Sequence, residues 1–161
     1  KTAYEISTRD WSSDVCSSDL IAASTGSLGH GLSISLGMAY AMKLNKSNGK
    51  VFCVISDGEA QEGSTWEAIM MASSLKVTNL IAFMDNNDFQ SLGRTSHTHP
   101  SFYPIDDKLT AFGWECLTVN GHDSDQIVNA VINRSPDKPL MVICKTTKGK
   151  GVSFKIGRAH V

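Results

Sequence analysis

Residues 51–87, VFCVISDGEAQEGSTWEAIMMASSLKVTNLIAFMDNN, decide the fold. Residues 51–55 and 80–84 are short apolar runs of the kind that form strands buried on both faces, and the periodic segment 63–75 between them predicts a helix. Asp57 leaves the first run and Asn87 the second, 30 positions later, about the length of one strand-helix-strand unit. If that unit joins parallel neighbours, both oxygen-bearing side chains emerge at one edge of the sheet, where open α/β sheets bind ligands. A carboxylate at a strand tip beside a glycine, Asp57-Gly58, suits a hard cation holding a diphosphate, and an Asn carbonyl oxygen at position 87 completes such a cradle. An Asp before a Gly is equally an ordinary turn residue.

The chain has 161 residues, of which 41% are hydrophobic, enough for one cored α/β domain. No apolar run approaches the length of a membrane span. With 15 basic and 16 acidic residues, the charge balance points to neither nucleic acid nor an anionic surface. The 4 cysteines form no spacing motif, and Cys53 and Cys144 lie inside apolar runs, so free thiols and a cytoplasmic setting are expected.

Residues 1–20, KTAYEISTRDWSSDVCSSDL, carry neither an amphipathic period nor a signal-peptide pattern. They resemble a translated sequencing-library adapter, and residues 156–161, IGRAHV, resemble the same adapter read from the opposite strand. Both ends are therefore expected to be non-native tails around an α/β domain at 21–155, truncated on both sides. Without them, acidic and basic residues are equal in number.

Within that domain, the small, glycine-rich segment 21–31 feeds a helix over 32–46. Gly26, Gly29 and Gly31 permit close backbone approach, and free amides at a helix start attract phosphate; a plain tight turn fits the same residues. The segment 63–75 is apolar over much of its circumference, which predicts a well-covered helix, and Glu62 places negative charge at its start. Residues 89–105 read as irregular, with His97 and His99 as loop histidines lacking a familiar ligand spacing. Further on, a short capped helix is expected over 106–112, a strand over 115–119, and a helix over 123–133 capped by Asp123, with Ile127, Val128, Val131 and Ile132 inward. A last strand spans 140–144, and a basic exit loop follows with Lys148 and Lys150.

The stretches STGSLGHGL, SDGEAQEGSTWEA, LIAFMDNND, AFGWECLTVNGHD and KTTKGKGVSF together resemble the thiamine-diphosphate-binding region of transketolase, above all its separately encoded N-terminal subunit. The resemblance covers essentially all of 21–155. It implies the thiamine-diphosphate-binding fold, a parallel sheet flanked by helices, in its diphosphate-binding domain. By matching position, it implies that Asp57, the Asn87 side chain and the Phe89 backbone carbonyl ligate Mg2+ or Ca2+. It implies further that Gly26, Ser27, Leu28, Gly58, Asp57 and Asn87 contact thiamine diphosphate. Glu62 matches a glutamate that carries a proton relay between active sites at a subunit contact. Ser56 stands where the family usually has Gly, and His30 where Gln is common.

The activity implied is two-carbon ketol transfer between sugar phosphates in the pentose phosphate pathway. The implied partner is a C-terminal subunit or domain carrying the pyrimidine-binding half, in a homodimer or heterotetramer. The fragment is expected to be inactive alone, and to bind neither nucleic acid nor membrane. Two alternatives remain open: a transketolase-like enzyme of specialised sugar biosynthesis, and a non-catalytic assembly module.

Overall fold

The computed structural model describes residues 21–153, 155–156 and 159–160. The tail expected at 1–20 lies outside these residues. Of the tail expected at 156–161, residues 157, 158 and 161 lie outside them too, and a short backbone pairing of Lys155–Ile156 with Ala159–His160 is described.

Four parallel strands make the central sheet: β1 (Val51–Ser56), β2 (Leu80–Asn86), β5 (Glu115–Asn120) and β6 (Leu140–Lys145), in the order β1-β2-β6-β5. Short strands β3 (Phe89–Gln90) and β4 (Gly93–Arg94) pair apart from it. Helix α2 (Gly63–Ser74) carries the chain from β1 to β2, as the apolar runs and the periodic segment between them predict. Val51 aligns with Leu80 and Ser56 with Asp85, so the chain leaves both strands at the same level and edge.

Alternation along the strands divides the core in two. One face, with Val51, Cys53, Ile55, Leu80, Ala82, Met84, Met141 and Ile143, is covered by α1 (Gly31–Leu44), α2 and α4 (Ile105–Ala111). The other, with Ile81, Leu140, Val142 and Cys144, is covered by α5 (Ser124–Ile132). Helix α5 leaves β1 bare, so Phe52 and Val54 remain 56% and 74% exposed, with Phe83 stacked on Phe52 at 6.3 Å. Trp114 is wholly buried at the entry to β5 and donates its indole N–H to the Ile69 carbonyl of α2 at 2.9 Å, locking that helix to the far side of the sheet. Cys53, Cys116 and Cys144 are free, and burial pushes all three thiols up, Cys116 to about 11.

Four expectations are corrected. Helix α2 is not covered all round: Ala68, Ile69 and Ala72 are buried, while Met70 and Met71 are 43% and 49% exposed, because α2 packs through one side only. Along α5, Ile127, Ala130 and Val131 face the sheet, whereas Val128 and Ile132 point outward. A nine-residue helix resting on a sheet buries a narrow stripe, and four apolar positions at 127, 128, 131 and 132 are wider than that stripe. The segment 89–105 is more ordered than its composition suggests, holding β3, β4, α3 (Thr95–Thr98) and a 3-10 turn at Pro100–Phe102. Asp123 caps α5 as expected, accepting from the Asp125 and Gln126 amides. Helix α4 instead starts after Pro104 without a side-chain cap.

Candidate functional site

The ends of β1 and β2 build the site. Past the last residue of β1, the Asp57 amide donates to the Asp85 carbonyl at 3.1 Å, which carries the sheet pairing one step further and fixes where the Asp57 side chain emerges. That side chain is completely buried. Its Oδ1 accepts from the Gly58 amide at 2.9 Å, and its Oδ2 accepts from the Asp88 amide at 2.8 Å. Burial raises the carboxyl from its ordinary value, and donors from Asp88, Thr95, Gly58 and Tyr103 pull against it. No cation among the described side chains pairs with this carboxylate, whereas Asp88 has Arg94 at 3.0 Å.

Asn87 is oriented by its neighbours. Its Nδ2 donates to Asp85 Oδ2 at 2.9 Å, and because a carboxylate only accepts, the amide oxygen must turn the other way. That Oδ1 accepts from the Phe89 amide at 2.8 Å and keeps a second lone pair open. Asp85 is held in turn by the Thr146 hydroxyl, just beyond β6. The Asp88 backbone between Asn87 and Phe89 is left-handed, φ +63°, a sharp turn that this Asp sustains through bonds to Ser96 and Arg94. Burial works against the Asp88 carboxylate, but the Ser96 amide, Arg94 and the two hydroxyls outweigh it and hold the group well below the usual range.

Gly58 is tightly placed, since a Cβ there would meet Gln90 Cβ at 3.0 Å and push it back by a few tenths of an ångström. Ser56 is accommodated without left-handed backbone, and its hydroxyl accepts from the Glu59 amide at 3.0 Å, steadying the 3-10 turn Glu59–Gln61. Gly26, Ser27 and Leu28 form an exposed bend that joins the cradle through Gly29. Gly29 is buried at φ +81°, donates its amide to Glu59 Oε1 at 3.3 Å, and accepts from Ser64 Oγ at 2.9 Å. The amides of Gly29 and Gly31, for which phosphate contact and a plain tight turn both stood open, face the Glu59 carboxylate, whose pKa is raised by burial against those two bonds. Glu62 begins α2 with an exposed side chain that makes no cap bond. The ring of His30 bonds the Leu28 carbonyl at 3.1 Å, so it braces the loop from within.

Sequence reasoning missed Glu59, Thr95 and Tyr103. Glu59 had a readable signal, a charge inside the small-residue run SDGEAQ. Thr95 and Tyr103 reach Asp57 from a segment with no periodicity.

The donor set fits a hard divalent ion: one buried carboxylate with no cation, one neutral amide oxygen held with a lone pair free, and the adjoining Phe89 backbone. Among the described residues no three His, Cys, Asp or Glu side chains form a ready-made metal centre, so an ion here draws its remaining ligands from whatever it binds with. Cavities of about 470 Å3 beside Trp66 and Phe112, and of about 640 Å3 between residues 21–25, α1 and β1, are not lined by Asp57, Asn87 or Phe89.

Residues 12–161 match the family described as transketolase, thiamine diphosphate binding domain. The chain is 42% identical over 140 residues to one subunit of the 6-deoxy-6-sulfo-D-fructose transketolase of Clostridium sp. strain MSTE9, covering 86% of this chain and 50% of that protein. It is also 42% identical over 141 residues to one subunit of the apulose-4-phosphate transketolase of Phocaeicola vulgatus, with the same coverage. Human transketolase is 39% identical over 133 residues, 80% of this chain and 20% of the human protein. The crystal structure of Campylobacter jejuni transketolase superposes with a TM-score of 0.73 at 32% identity, over 80% of this chain and 22% of that one. The chain therefore spans about half the length of the first two relatives and a fifth of the larger ones. With its parallel sheet, its cradle at the strand tips and a family match over nearly its whole length, the chain belongs to the transketolase family of thiamine diphosphate binding domains.

Proposed function

We propose that this chain holds the metal-diphosphate end of thiamine diphosphate and forms part of an enzyme that moves a two-carbon ketol unit from a ketose phosphate to an aldose phosphate. The observation that carries this reading is the Asp57–Asn87 pair at the tips of adjacent parallel strands, one a buried carboxylate without a cation, the other an amide turned by Asp85. Asp57, the Asn87 side-chain oxygen and the Phe89 carbonyl hold Mg2+ or Ca2+. Gly58 and the Gly26-Ser27-Leu28 bend admit the cofactor closely. When bound, the cofactor supplies the carbanion that carries the ketol unit; this chain binds it, orients it and keeps it at the sheet edge. Glu62, exposed at the start of α2, reaches the second subunit.

The domain is residues 21–155, with 1–20 and 156–161 outside it; an independent clone carrying those ends tests this. The other half of the site comes from a C-terminal, pyrimidine-binding subunit or domain, in a homodimer or heterotetramer in the cytoplasm. No helix among the described residues is long and apolar enough to cross a membrane.

A second reading concerns the substrate. The two relatives at 42% identity are named for 6-deoxy-6-sulfo-D-fructose and apulose 4-phosphate, which favours a modified or branched sugar as donor. Assaying the full-length protein with its partner on pentose phosphates and on such sugars separates the two. Transfer that needs thiamine diphosphate and a divalent ion, and is lost in Asp57→Ala, supports the proposal. No transfer and no cofactor binding by a folded assembly would leave a non-catalytic assembly module.

A further inference from the structure

Two hydroxyls from the irregular segment after β2 converge on the Asp57 carboxylate. Thr95, at the start of α3 and fully buried, donates from Oγ1 to Asp57 Oδ2 at 3.1 Å. Tyr103, just past the 3-10 turn Pro100–Phe102, donates from Oη to the same oxygen at 3.3 Å, and the two hydroxyls lie 2.9 Å apart. Phe102 packs edge-on against the Tyr103 ring at 5.0 Å and fixes its approach. With the Asp88 amide, three donors crowd Oδ2, while Oδ1 has only the Gly58 amide. A carboxylate oxygen has two lone pairs, so Oδ2 is saturated and Oδ1 keeps one pair open. Each hydroxyl has a single proton, and Asp88 Oδ1 at 2.9 Å from Thr95 and Asn86 Oδ1 at 3.3 Å from Tyr103 are alternative acceptors for it; when one hydroxyl turns to its alternative, the other and the Asp88 amide still fill Oδ2.

This asymmetry bears on which ion the cradle accepts. Mg2+ demands near-octahedral geometry and takes carboxylates through one oxygen, whereas Ca2+ tolerates six to eight ligands and readily takes both. We propose that Thr95 and Tyr103 are positioning residues that reserve Asp57 Oδ2 for the protein, confine ligation to Oδ1, and so set the site's preference for Mg2+ over Ca2+. The inference rests on the metal-cofactor reading above. Removing the hydroxyls leaves Oδ2 with the Asp88 amide alone, and the carboxylate becomes free to turn both oxygens toward a larger ion.

The test measures Mg2+ and Ca2+ dissociation constants by calorimetry at saturating thiamine diphosphate, on the full-length protein in its native assembly. The Thr95→Val/Tyr103→Phe double variant is expected to weaken Mg2+ about tenfold, the scale of a lost bond to a metal-ligating carboxylate, while either single variant, which still leaves two donors on Oδ2, should weaken it less. Ca2+ should weaken less than about threefold, because its coordination adapts. Thr95→Ser, which keeps the hydroxyl, should restore the wild-type ratio, and melting curves confirm that each variant is folded. Equal loss of both ions in the folded variants, or an unrestored ratio in Thr95→Ser, would overturn the proposal. A wild-type assembly that binds no ion with thiamine diphosphate would overturn the metal-cofactor reading itself, a result distinguishable from the first because it appears before any substitution.

Discussion

Asp57 shows what a single residue contributes and what it costs. A carboxylate sealed from solvent without a cation is held in place by donors, yet burial still raises its pKa in the cofactor-free protein. A carboxyl whose folded pKa lies above its unfolded value, about 3.9, adds stability at low pH and loses it as pH rises through the folded pKa. Wild type should therefore gain stability relative to Asp57→Asn as pH falls through the folded pKa of this carboxyl toward its unfolded value, because the Asn carries no charge; melting temperatures of the two proteins across pH read this directly. Affinity for a divalent ion with thiamine diphosphate should fall over the same range, since the proton competes for the oxygen that binds metal. Asp88 has the opposite sign: its depressed pKa contributes stability above the unfolded value and loses it only under stronger acid. Glu62 is a different case, with an exposed side chain and no bond to the cradle. Glu62→Gln should leave cofactor affinity within about twofold, as surface changes do, while lowering kcat in the assembled enzyme; steady-state kinetics beside calorimetry separates the two.

At the scale of elements, the strands and the unit that joins them were legible because buried parallel strands need continuous apolar runs, and VFCVI and LIAFM have no other plausible use. The Asp57 and Asn87 positions followed from strand ends alone. What stayed hidden has physical reasons. Outward Val128 and Ile132 obey the same period as inward Ile127 and Val131, so sequence could not say how wide a stripe the sheet covers. Thr95 and Tyr103 act through two hydroxyls from an aperiodic segment, and their meeting at Asp57 depends on tertiary contacts across 38 and 46 positions. The link that makes these elements one body is Trp114, whose indole bonds a carbonyl of α2. Trp114→Ala should destabilise the fold by about 3–5 kcal/mol, and Trp114→Phe, which loses the bond and part of the volume, by about 1–3 kcal/mol, measured by denaturant unfolding.

For the whole molecule, the exposed apolar surfaces matter most. The outer face of β1 shows Phe52 and Val54, and α2 shows Met70 and Met71. Exposed apolar surfaces of this kind are what interfaces cover, and the chain spans half of its subunit-type relatives and a fifth of the human enzyme. This chain alone should show no ketol transfer, and adding the pyrimidine-binding partner to the full-length protein should restore it. The central claim is that Asp57 and Asn87 hold the metal-diphosphate of thiamine diphosphate, and titration calorimetry of the full-length assembly with thiamine diphosphate and Mg2+ tests it most directly. The account predicts saturable binding that needs the ion and is weakened at least about a hundredfold in both Asp57→Ala and Asn87→Ala, the upper range for loss of a metal-site group. Unchanged binding in either folded variant, or no binding by the wild type, would contradict it.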